Sequence, residues 1–124
     1  GAPTSAALIA DAVSALVGEG PAGLSCKARH AGGIVHLAAS GETSRHGFAT
    51  EIVAGLRARN VVLPVREIVP IRTTESHSPA RRPLNSRLNL TALQSVFGVV
   101  PPDWREALQP ELDRLADDLL SGRR

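Results

Sequence analysis

Residues 61–71 are rich in β-forming side chains, yet Pro64 and Pro70 cut through them. A proline has no N–H to give to a ladder, so this stretch is confined to an edge strand or an extended loop. The other strand candidate is Gly33-Ile34-Val35-His36-Leu37-Ala38, short, partly β-branched and bounded by glycine, which reads as a buried strand. Most other apolar residues recur at helical spacing. The expectation is a small mixed α/β domain, and 124 residues give room for one core.

Ile9, Ala12, Val13, Leu16 and Val17 place an amphipathic helix over residues 4–17, started by Pro3 with Thr4 or Ser5. Gly18-Glu19-Gly20-Pro21-Ala22-Gly23 follows and matches the letters of a dinucleotide-binding fingerprint. That chemistry needs glycines after a strand and at the opening of a helix, so that free amides face a pyrophosphate; here they close a helix, and Pro21 removes one amide. The reading is a turn. A second helix is expected up to about residue 59, capped by Thr43 or Ser44, with Phe48, Ile52, Val53 and Leu56 as its stripe. Residues 73–86 read as an irregular surface loop, and Thr91 as the cap of a short helix with Leu93, Val96 and Phe97, closed by Gly98. A last helix from about residue 103 carries Trp104, Leu108, Leu112, Leu115 and Leu119, and Pro110 should kink it or begin a new segment.

Hydrophobic residues make up 43% of the chain without low-complexity tracts or blocks of like charge, which favours a globular chain, with residues 72–83 the expected exception. The single Cys26 excludes an internal disulfide and reads as a small core residue. His30, His36, His46 and His77 show no metal spacing, and His36 reads as a core histidine. The apolar runs are short, and Gly1 to Thr4 offer neither a charged nor an apolar leader region, so a cytoplasmic protein without a membrane span is expected. The net charge of +2 rests on thirteen arginines and one lysine. These are scattered along the chain, and only Phe48, Phe97 and Trp104 offer rings to bases, so a nucleic-acid partner is not expected.

Three stretches together resemble the carboxy-terminal part of the dTDP-4-dehydrorhamnose reductases, a family within the extended short-chain dehydrogenases. They are Gly1-Ala2-Pro3-Thr4-Ser5-Ala6 running into Leu8-Ile9-Ala10-Asp11; residues 33–44 followed by Phe48-Ala49; and Pro79-Ala80-Arg81-Arg82-Pro83-Leu84-Asn85-Ser86-Arg87-Leu88, continuing to Phe97-Gly98 and residues 102–108. The resemblance implies an α/β fold, the C-terminal portion of a Rossmann-type enzyme without its glycine-bearing half, and places residues 1–124 in one sugar-nucleotide-binding domain. It implies a dTDP-sugar as partner and NADPH or NADH as cofactor of the complete enzyme, with no cofactor bound by this chain. The family's Tyr-x-x-x-Lys pair is missing: there is no tyrosine, and the only lysine is Lys27. An isolated domain, a proteolytic fragment or a truncated gene product is therefore expected.

By the same resemblance Arg82 contacts the diphosphate, Asn85 hydrogen-bonds near the nucleotide, Thr4 lies in a turn beside the substrate, and Arg81 is a further candidate. A guanidinium suits the first role, because its planar fork of donors matches phosphate oxygens. The chain departs from the family at Arg45-His46, where many members carry aromatic residues, and at Ala92, where they usually carry lysine. Trp104 reads as a helix-start anchor, and the Asn89-Leu90-Thr91 sequon as part of a helix cap. Faces that pack on a cofactor half would be left open, so the missing half or another copy of the chain, in a dimer or domain-swapped form, is expected to cover them. The alternative is a non-catalytic regulatory subunit, since relatives of this fold partner methionine adenosyltransferase.

Overall fold

The computed structural model describes residues 1–18, 20–75 and 83–122. Helix α1 is Ala6–Gly18, α2 Gly20–His30, α3 Arg45–Ala58, α4 Thr91–Phe97 and α5 Trp104–Leu120, with a 3-10 turn at Thr73–Glu75. Ser5 starts α1: its Oγ accepts from the Leu8 amide at 3.1 Å. Ser44 caps α3 by accepting from the Gly47 amide at 3.0 Å, and Asp103 caps α5 by accepting from the Arg105 amide at 2.9 Å. At α4 the expected Thr91 cap is replaced by an Asx turn, in which Asn89 Oδ1 accepts from the Thr91 amide at 2.9 Å. Gly98 closes α4 in the left-handed region, φ 70°.

α3 ends in a Schellman motif that its composition did not advertise. Asn60 takes φ 61°, its amide donates to Arg57 O at 3.0 Å, and the Val61 amide donates back to Leu56 O at 3.1 Å. The motif brings Val61 onto Leu56, and these two form the main core with Leu112 and Ala116 of α5, flanked by Ile52, Leu63 and Leu108. The helices approach closely because Gly55 leaves room for Leu112 Cδ1. Arg59 fastens the same end. Its Nε donates to Asp113 Oδ1 at 2.6 Å, Nη1 to Gly55 O at 3.0 Å and Nη2 to the Gln109 side chain at 3.0 Å.

Several expectations are corrected. Residues 33–38 form no strand: among the described residues the one β-type pairing is an isolated parallel bridge between Ser40 and Asp103. Ile34 is 74% exposed and His36 is exposed, because a strand buries itself only against a neighbouring ladder and none lies beside this segment. Residues 61–71 are likewise unpaired, the loop alternative, docked on α3 where His46 Nε2–H donates to Ile68 O at 3.0 Å and Arg57 donates to Val65 O. The expected turn at residues 18–23 instead opens α2, with Pro21 in the first turn, where its missing N–H leaves no bond unmade. Cys26, on that helix, is exposed rather than in the core. Helix α5 runs through Pro110 without starting a new segment. Of its expected stripe Trp104 and Leu112 are buried and Leu108 packs against the core, whereas Leu115 and Leu119 remain 40% and 50% exposed and Ala116 is buried instead.

The stripe foreseen on α1 is present in sequence but has little to pack on: Ala12 is buried, while Ile9, Val13 and Val17 are 42%, 47% and 61% exposed. α1 lies against α2, and α2 against α4, whose Leu93 and Phe97 are buried. No single helix among the described residues is long and apolar enough to cross a membrane.

Leu112→Ala should lower stability by about 2–5 kcal/mol, because Leu112 sits where α3 and α5 meet and its removal leaves a cavity between two stapled helices. Thermal unfolding followed by circular dichroism checks this, and an unshifted midpoint would show that the α3–α5 contact is not the stabilising core.

Candidate functional site

Ser40 is tied down on three sides. Its amide donates to Pro102 O at 2.8 Å, its Oγ donates to Pro101 O at 2.7 Å, and its carbonyl accepts from the Trp104 amide at 3.0 Å. The preceding residue is held from the other direction, since the Ala39 amide donates to Thr4 Oγ1 at 3.1 Å. Thr4 therefore does not cap α1, which Ser5 does; it joins the first residues of the chain to residues 37–41. Thr43 extends that join, its amide donating to Gly1 O at 3.0 Å. Gly41 follows at φ 80°, and a Cβ there would meet the Asp103 carboxylate and Trp104 Cδ1. Only glycine combines that backbone with so close an approach.

Behind this wall Trp104 is 1% exposed. Phe48 meets it edge-on at 6.1 Å, and the Arg105 guanidinium lies over its face at 4.4 Å. Its Nε1–H has no acceptor among the described residues, so its contribution is packing, as an anchor at the start of α5.

In front of the wall lies a cavity of about 620 Å³, bounded by residues 1–4, 37–41, 43–45, Phe48 and 86–90. Its lining combines the apolar Leu37, Ala38, Ala39, Phe48 and Leu88 with hydroxyls and two guanidinium-bearing residues, Arg45 and Arg87. Among its described lining residues there is no carboxylate. Arg87 is already engaged: it forms an ion pair with Glu42, and its Nε and amide donate to Asn85 Oδ1 at 3.2 and 3.1 Å. Both members of the ion pair are more than half exposed, so the pair shapes the 85–87 turn more than it stabilises the fold.

Of the residues expected to form the site, Thr4 lines the cavity, while Asn85 is not among its lining residues and holds Arg87, which is. Arg81 and Arg82 lie outside the described residues. Sequence reasoning missed Ser40 and Gly41 as wall-builders and Arg87 as a lining residue, and singled out Arg45 only as a departure from the family. For Ser40 and Gly41 the available signal was the Ser-Gly pair ending an apolar run, opposite a Pro-Pro-Asp-Trp turn. Among the described residues no group of His, Cys, Asp or Glu could hold a metal ion.

A family model described as the RmlD substrate binding domain matches residues 1–117. The chain belongs to that family. It is 44% identical over 114 residues to a protein named dTDP-4-dehydrorhamnose reductase from Burkholderia thailandensis, covering 87% of this chain and 37% of that protein. A protein of the same name from Shigella flexneri is 33% identical over 115 residues, covering 93% of this chain and 37% of its own length. Another, from Sinorhizobium fredii, is 34% identical over 110 residues, covering 86% and 34%. No solved structure matches the chain significantly. This RmlD-type domain thus spans little more than a third of the relatives it matches, in agreement with the resemblance to their carboxy-terminal part.

Gly18, Gly20 and Gly23 are not placed as a dinucleotide fingerprint requires. Among the described residues no strand precedes them, they lie at the end of α1 and in α2, and Pro21 lacks the amide a pyrophosphate would need.

Gly41→Ala should cost roughly 1–3 kcal/mol, by forcing a side chain into a left-handed residue packed on Asp103 and Trp104. Thermal unfolding reads the loss, and wild-type stability in that variant would mean the wall is not held as described.

Proposed function

We propose that residues 1–124 form a single sugar-nucleotide-binding domain of a dTDP-4-dehydrorhamnose reductase, and that the complete enzyme reduces dTDP-4-dehydro-L-rhamnose to dTDP-L-rhamnose. One observation carries the reading. Described parts of the three stretches that bear the family resemblance, residues 1–4, 37–41 and 43–44 with Phe48, and 86–88, line one cavity with two arginines and no described carboxylate. A cavity of that character favours an anionic ligand with an apolar portion, which a deoxysugar linked through a diphosphate to thymidine supplies.

In this reading Arg82 contacts the diphosphate, Asn85 hydrogen-bonds near the nucleotide, Thr4 borders the sugar, and Arg81 is a secondary contact. Hydride from NADPH or NADH, and the proton-donating tyrosine, come from the rest of the enzyme. This chain alone is not catalytic, because it has no tyrosine to act as the general acid. The α/β character of the domain belongs to the assembled enzyme, in which residues 33–38 gain a ladder partner. The exposed Ile34 and the open face of α1 support this, since apolar patches of that kind are normally covered. The cover is the missing Rossmann half or, in its absence, another copy of the chain. The protein is read as cytoplasmic.

Calorimetric titration with dTDP, dTDP-L-rhamnose and NADPH tests the reading. The first two should bind and NADPH should not, and Arg82→Ala should weaken both by about tenfold or more, the worth of a charge-assisted contact. NADPH binding as tight as that of dTDP would refute the assignment. At high concentration light scattering should show a dimer; a monomer that also fails to bind a hydrophobic dye would rule out covering by a second copy.

A further inference from the structure

We propose that Arg45 is a second phosphate-contacting residue of the cavity. The inference rests on the sugar-nucleotide reading above. Arg45 and Phe48, one helical turn apart on α3, both line the cavity. The two arginines there differ in how free they are. Arg87 is held by Glu42 and Asn85, whereas Arg45 makes no hydrogen bond or ion pair with any described residue.

The surroundings leave that charge uncompensated. Ser44 Oγ, the nearest hydroxyl in sequence, is taken up by the Gly47 amide, and none of the described lining residues is acidic. A guanidinium facing bulk water gains little from an anion, because water screens it. Arg45 is exposed, but Leu37, Ala38 and Phe48 line the same cavity, and a charge-assisted contact there is screened less once a ligand excludes water. A phosphate oxygen entering the cavity would meet in Arg45 a cationic group whose donors no described residue engages.

The experiment is calorimetric titration of the 124-residue chain with dTDP at low and moderate salt, on the unaltered chain, Arg45→Ala and Arg45→Lys, with circular dichroism to confirm folding. Arg45→Ala should weaken dTDP binding by about tenfold and flatten its salt dependence, and Arg45→Lys should retain part of both. Unchanged dTDP affinity in folded Arg45→Ala overturns the role of Arg45 while leaving the site reading intact. A loss of affinity with the salt dependence preserved also overturns it, since that pattern belongs to a guanidinium stacked on the base. If the unaltered chain binds no dTDP, the site reading fails and this inference falls with it.

Discussion

The site hangs on Ser40. Three hydrogen bonds from one residue fasten the cavity wall to the start of α5, and they do so through backbone groups of Pro101, Pro102 and Trp104. Two prolines in a row are suited to this, because they have no N–H of their own to satisfy and offer two carbonyls on a stiff segment. The clasp serves both faces of the wall. On one side it seats Trp104 and with it the first turn of α5; on the other it presents residues 37–41 to the cavity, with Thr4 bound to Ala39. Packing and recognition therefore share one set of hydrogen bonds, and a change in this turn is felt in both.

Helix positions were largely legible from residue patterns because a helix is a local object. Ser44, Gly98 and Asp103 each act at the helix end their identity suggests, since capping needs only neighbours within a few residues. Strands were not legible in the same way. Residues 33–38 have the composition of a strand, but pairing depends on a second segment, and proline-broken residues 61–71 do not supply it. Beyond Leu112 the burial of Ala116 rather than Leu115 and Leu119 on α5 was also beyond a periodicity argument, because both continue the spacing from Trp104, Leu108 and Leu112. What decides it is the approach of α3 at Gly55. α2 was hidden by its glycines and proline, residues whose breaking effect is weakest in a first turn.

The site was legible in outline and not in detail. Thr4 was found through a short motif, and the cavity gives it the role of tying two segments together. Arg87 and Arg45 acquired meaning only when residues about forty positions apart in the chain came around one volume. Their chemistry is visible in the sequence; their company is not. The same holds for Cys26, placed in the core by its type and at the surface by the helix that carries it.

Trp104 has a further consequence. It is the only tryptophan, and the chain has no tyrosine, so near-ultraviolet absorption and fluorescence of this protein come essentially from one buried ring. That ring touches the back of the cavity wall through Gly41, carries Phe48 on its edge and Arg105 on its face, and anchors α5. The molecule thus holds a built-in optical probe at the junction between its site and its fold, one that answers to loosening of the wall from either side without any label being added.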